Sequence, residues 1–203
     1  MFVKVCGLRS AADVAAAVSA GADAVGFVFA ESVRRVEVAE AKALASGVPS
    51  EVLTVGVFSG IPAGRAGEMA LTAGLGAIQL HGDYPREAFA ELADLPVRLI
   101  RATTLKESTD VRAGGWGEDM LLLDSPVAGS GQRWNLASLD GARPSGKWML
   151  AGGLRADNVA DAVRAARPWG VDVSSGVEVT RGAKDPGLIR DFVTTVRQLA
   201  AAG

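Results

Sequence analysis

Eight short apolar runs recur along this chain, most followed by a stretch with helical periodicity, and that alternation restricts the fold more than any other feature. The runs are Phe2–Cys6, Ala24–Phe29, Leu53–Phe58, Ala77–His81, Arg98–Thr103, Met120–Asp124, Trp148–Gly152 and Gly170–Ser174. Helices are predicted at Ala11–Ala20, Val38–Ser46, Pro62–Ala73, Pro85–Leu92, Leu136–Asp140, Asp157–Ala166 and Pro186–Ala201. The stretch Leu105–Gly117 has weak periodicity and two adjacent glycines, so a short or irregular helix is expected there. Strands that are apolar on both faces belong in a parallel sheet covered by helices. Eight units with no change of pattern midway predict an α/β fold closed into a (β/α)8 TIM barrel rather than an open sheet. A single domain over residues 1–203 is expected, since barrels of this size commonly fold as one unit.

The last two units carry the strongest local signal. Gly152-Gly153 ends one strand and Ser174-Ser175-Gly176 ends the next. Such turns present backbone N–H groups without side-chain obstruction. In an eightfold barrel, the turns after the seventh and eighth strands are the usual phosphate site. Gly152, Gly153, Ser174, Ser175 and Gly176 are therefore the expected phosphate-binding residues. The competing reading is that these glycines only make tight turns.

Charge and composition narrow the partners. The formal net charge is −2, so no bulk electrostatics favour nucleic acid or an anionic membrane. The 49% hydrophobic content suffices for a sizeable core, but no apolar run is long enough to cross a bilayer. The single cysteine rules out an internal disulfide, and the chain opens directly on a strand without a signal peptide. A cytoplasmic location is expected. One histidine, His81, excludes sites that need two or more, and no metal is expected. The partner expected is a small phosphorylated molecule. The sequence does not distinguish monomer from homodimer.

In a barrel, functional side chains sit at the C-terminal ends of strands. Period-2 alternation puts Phe2, Lys4 and Cys6 on one face of the first strand. Cys6 reads either as a small buried residue or, at the mouth, as a base whose thiolate needs stabilising. Arg34 and Arg35 follow the second strand and could clamp a carboxylate or form a solvated basic turn. Gln79 and His81 share a face of the fourth strand, and Arg101 and Thr103 lie on the fifth. Asp124 directly follows three leucines. A carboxylate there must face a polar mouth or a partner, because an unpaired buried one is costly. Gly129–Asn135 could close over a ligand, with Trp134 as a packing anchor. Asp172 reads equally as the partner of Lys4 or as an acceptor for a substrate hydroxyl.

Taken together, Lys4-Val5-Cys6-Gly7, Gly26-Phe27-Val28-Phe29, Ser32-Val33-Arg34, Gln79-Leu80-His81-Gly82, Leu122-Leu123-Asp124, Leu150-Ala151-Gly152-Gly153 and Asp172-Val173-Ser174-Ser175-Gly176 resemble the phosphoribosylanthranilate isomerases of tryptophan biosynthesis. The resemblance covers essentially the whole chain. It implies an Amadori rearrangement of N-(5′-phosphoribosyl)anthranilate without any cofactor. It implies Asp124 as general acid, Cys6 as general base and Arg34 as the holder of the anthranilate carboxylate. It also implies that the two glycine turns form the phosphate cradle. His81 and Asp172 are the further substrate-binding candidates. The chemistry asks for a raised Asp124 pKa and a lowered Cys6 pKa. The chain departs from the family at Val33, where a proline is common, and at Arg35, where an aromatic is common. Two other readings compete: a different phosphosugar enzyme on the same barrel, and a barrel that binds a phosphorylated ligand without turnover.

Overall fold

The computed structural model describes residues 1–105, 109–124 and 144–201. Its centre is a closed parallel barrel of β1 (Phe2–Cys6), β2 (Ala24–Val28), β3 (Leu53–Phe58), β4 (Ala77–His81), β5 (Arg98–Thr104), β6 (Met120–Asp124), β7 (Trp148–Leu150) and β8 (Gly170–Val173). Each strand pairs with the next, and β8 pairs back on β1 with Lys4 opposite Asp172. Closure leaves the barrel strands no open edge. It also explains the continuous apolar runs, since each strand is covered on both faces. One apolar layer fills the interior, with Val55, Ile100, Leu122 and Met149 among its members. A second layer lies between barrel and helices, where Leu99, Leu121, Val171 and Phe192 are buried.

Around the barrel run α1 (Ala11–Ser19), α2 (Val38–Ala45), α3 (Ala63–Ala73), α4 (Arg86–Leu92), α5 (Val159–Ala166) and α6 (Pro186–Ala201). Local chemistry sets their ends. Ser10 Oγ accepts from the Asp13 amide at the start of α1, satisfying a donor that the helix itself cannot. At the start of α2, Glu40 reaches back to the Glu37 amide. One device recurs at the bottom of the barrel. Asp23, before β2, accepts from the Val3 amide of β1, and Asp119, before β6, accepts from the Leu99 amide of β5. Arg197 of α6 donates to Met1 O and to Asp23, fastening the last helix to the first strand.

The expected strands all form, four with the expected bounds and four with the C-terminal end shifted by one or two residues. The seventh stops at Leu150 rather than Gly152 and the eighth at Val173 rather than Ser174, because the turn begins earlier. The fifth helix starts at Val159, two residues after the predicted Asp157. No helix forms over residues 109–117; a bridge from Arg112 to Ser145 and a turn cover β5 there instead. The predicted helix Leu136–Asp140 and the loop Gly129–Asn135 lie outside the described residues. Beyond β8, a single 3-10 turn (Ser175–Val177) leads into an unpredicted hairpin, β9 (Glu178–Thr180) with β10 (Ala183–Lys184). Among the described residues, no helix is long and apolar enough to cross a membrane.

Candidate active site

The C-terminal ends of the strands open into a cavity of about 810 Å³, within the range of small-molecule sites. Cys6 from β1, His81 from β4 and Asp124 from β6 all line it. Cys6 is 6% exposed, at the boundary between packed interior and open mouth. The two groups that the resemblance casts as base and acid, Cys6 and Asp124, thus face the same space.

One end of the cavity is backbone. Gly152 and Gly153 adopt successive left-handed conformations, φ 92° and 66°, which side-chain-bearing residues rarely adopt. Asn158 braces this turn by donating to Gly153 O and accepting from the Arg155 amide. Gly152, Gly153, Ser174 and Ser175 line the cavity. Gly176 does not line it. A Cβ at Gly176 would run into the Leu154 carbonyl, so its lack of a side chain lets the turn after β8 lie directly against the turn after β7. Gly176 therefore supports the cradle by close packing, and the other four residues face the ligand space.

Beneath Cys6 lies a buried ion pair. Lys4 Nζ donates to Asp172 Oδ1 at 2.8 Å, with Lys4 fully buried. The pairing with Lys4 is therefore formed, and Asp172 also lines the cavity, where a substrate hydroxyl could reach it. Burial pushes the Lys4 ammonium down, but Asp172 and then Cys6 outweigh it, and the net shift is upward; Lys4 stays charged. The Cys6 thiol goes the other way from the expected lowering. Burial pushes it up more than the nearby Lys4 and Lys184 pull it down. Burial thus favours the protonated thiol over the thiolate.

The wall beside the turn after β8 is ionic. Arg34 lines the cavity and grips Glu178 with two hydrogen bonds, Nε to Oε1 at 2.6 Å and Nη2 to Oε2 at 2.7 Å. Lys184 donates to Glu178 Oε1 and also to the carbonyl and hydroxyl of Ser174. Burial raises the Glu178 carboxyl, but Arg34, Lys184 and the Gly182 amide bring it down to about 2. Burial holds the Lys184 ammonium below its ordinary value in spite of Glu178. Arg35 points elsewhere: its side chain is 52% exposed and pairs with Glu37 at 3.0 Å. Of the two arginines, the structure brings only Arg34 to the site.

The sequence reading gave no role to Lys184, Glu178 or Gln79. Lys184 and the ionic role of Glu178 depend on the hairpin after β8, which leaves no periodicity to detect. Gln79 lines the cavity at 2% exposure. Its shared face with His81 was visible, but nothing local marked it as part of a site. Arg101 of β5 lies outside this cavity, buried in the layer outside the barrel against Glu118.

Comparison with known proteins accords with this arrangement. A family model described as N-(5′-phosphoribosyl)anthranilate (PRA) isomerase matches residues 3–195. The N-(5′-phosphoribosyl)anthranilate isomerase of Streptococcus gordonii is 41% identical over 195 residues, covering 96% of this chain and 97% of that protein. The crystal structure of TrpF from Jonesia denitrificans superposes with a TM-score of 0.93 at 43% identity, covering 100% of both chains. A phosphoribosyl anthranilate isomerase solved in complex with reduced 1-(o-carboxyphenylamino)-1-deoxyribulose 5-phosphate gives 0.82 at 30% identity, covering 98% of this chain and 99% of that one. A closed parallel barrel with a cysteine and an aspartate facing one cavity, and a sequence matched nearly end to end, lead to one assignment: the chain belongs to the N-(5′-phosphoribosyl)anthranilate isomerase family.

Proposed function

We propose that this protein catalyses the Amadori rearrangement of N-(5′-phosphoribosyl)anthranilate to 1-(2-carboxyphenylamino)-1-deoxyribulose 5-phosphate in tryptophan biosynthesis, in the cytoplasm. The observation that carries the proposal is the joint exposure of Cys6 and Asp124 to one cavity that has a backbone cradle at one end and Arg34 in its wall. The cradle of Gly152, Gly153, Ser174 and Ser175 binds the phosphate, with Gly176 holding the two turns together. Arg34 takes the anthranilate carboxylate, and His81 and Asp172 contact the sugar. We infer too that residues 1–203 work as a single domain, since β1 pairs with β8 and Arg197 joins the last helix to Met1.

The chemistry needs one proton given and one taken. Asp124 protonates the ribose ring oxygen, the C1′–O bond breaks, and the nitrogen lone pair forms a protonated Schiff base. The Cys6 thiol gives up its proton to solvent at the cavity mouth, and the resulting thiolate then removes the C2′ proton. The C–H electron pair becomes the C1′–C2′ double bond, and the iminium pair returns to nitrogen. The resulting enolamine tautomerises to the ketone. A thiol held up by burial suits this order. The iminium places a positive charge beside Cys6 only after ring opening, and that charge, with Lys4 below, favours the thiolate when it is needed.

Generated phosphoribosylanthranilate is fluorescent, and its loss on mixing reads turnover. Wild type should consume it, and Cys6→Ser and Asp124→Asn should each lose at least about 10²-fold in kcat while still binding the product. A wild type that leaves the substrate intact would overturn the proposal. Near-normal turnover in Cys6→Ser would remove Cys6 as the base.

A further inference from the structure

One polar group inside the barrel has no use in the fold. Gln79 lies on β4 between Val57 of β3 and Ile100 of β5, both apolar and buried. It is 2% exposed, and its Oε1 has no hydrogen-bond partner among the described residues. A buried acceptor left unpaired is a net cost to the folded state. A leucine or methionine would fill the position without that cost. Gln79 also lines the cavity, on the same face as His81 and about 7 Å deeper by the rise of a strand. In an eight-membered ring β4 stands across from β8, so Gln79 faces the glycine turns from the far side of the floor.

We infer that Gln79 is a substrate-binding residue whose side-chain oxygen accepts a hydrogen bond from a hydroxyl of the sugar. The inference rests on the proposed isomerase reading and adds a contact to it. An amide oxygen needs a donor. Phosphate and the anthranilate carboxylate are acceptors at neutral pH and cannot serve, whereas the ribose hydroxyls can. The ligand thus completes a hydrogen bond that the protein alone leaves open, and the position trades stability for recognition.

Gln79→Met tests this, because it keeps side-chain length and removes both polar atoms. The variant should melt at the wild-type temperature or above it. Its kcat/KM and its affinity for 1-(2-carboxyphenylamino)-1-deoxyribulose 5-phosphate should each fall about tenfold, while its affinity for inorganic phosphate stays unchanged. A residue that serves only the fold predicts the reverse, a lower melting temperature with unaltered product affinity, and that result overturns the inference. Gln79→Asn, which keeps the amide but withdraws it, covers a Gln79→Met protein that does not fold; the same tenfold loss is expected. Wild-type turnover with both variants at wild-type affinity sinks this inference alone. A wild type without turnover sinks the isomerase reading instead.

Discussion

Two arginine–glutamate pairs in this molecule look alike in composition and differ in where they sit. Arg101 and Glu118 meet at 2.8 Å on the outside of the barrel, 4% and 0% exposed at their side chains. Arg101 also donates to the carbonyls of Asp110 and Arg112 and lies over the Trp116 ring at 4.7 Å. The second oxygen of Glu118 accepts from the Trp116 amide. This pair is spent on structure: it pins residues 110–118 over β5 where a helix would otherwise pack. Arg34 and Glu178 meet at 2.6 Å, and Glu178 is equally buried at 3%, but Arg34 is 19% exposed and borders the cavity. Among the described residues, neither arginine uses its Nη1 in a hydrogen bond, so a spare donor does not tell the pairs apart. A buried ion pair is weak evidence of either stability or function by itself. What separates the two cases is place: Arg34 borders the large cavity at the strand ends and Arg101 does not.

That contrast can be broken by mutation. The largest effect on the fold should come from Glu118→Ala, which strands the Arg101 charge in the outer layer. Removing one partner of a buried pair costs about 3–5 kcal/mol, lowering Tm by on the order of 10 °C. Turnover per folded molecule should be unaltered; a loss of kcat in the folded fraction would place this pair in the site after all. Arg34→Ala should act in the opposite sense. Losing a charge-assisted hydrogen bond to the substrate carboxylate costs about 1.5–3 kcal/mol, seen mainly as a rise in KM. Its Tm should fall less than that of Glu118→Ala, because Glu178 keeps Lys184 and the Gly182 amide.

Glu178→Gln sharpens the comparison through pH. The Glu178 carboxyl is lowered from 4.5 to about 2 in the fold, so its stabilising contribution is present above pH 4.5 and is lost as pH falls towards 2. The Tm gap between wild type and Glu178→Gln should therefore narrow over that interval. Parallel melting curves from pH 7 to pH 2 would contradict the ionic role given to Glu178. The smallest effect belongs to Arg35→Ala, within about 0.5 kcal/mol of wild type and with unchanged KM. If Arg35→Ala raises KM and Arg34→Ala does not, the loop after β2 binds with the other arginine.

The order of strands and helices could be read from residue order because both signals are local. An apolar run of a few residues and a 3.6-residue stripe need no knowledge of the rest of the chain. The residues that end the strands follow from the same runs, which is why Cys6, His81, Asp124 and the glycine turns could be named in advance. Choices that depend on contacts across the closed barrel could not be. Asp172 stands 168 residues from Lys4, and only closure of β8 on β1 puts them in register. Arg34 is separated from Arg35 by the reach of Glu178, 144 residues away and presented by a hairpin without a periodic signature. The Cys6 thiol rises because of the depth at which it is buried, which its neighbours in sequence do not specify. Local pattern determined what this chain builds and which strand-end residues border its cavity. Long-range pairing decided which of those groups is charged, partnered or left open to a ligand, because burial and electrostatic partnership are properties of the closed barrel and not of any segment in it.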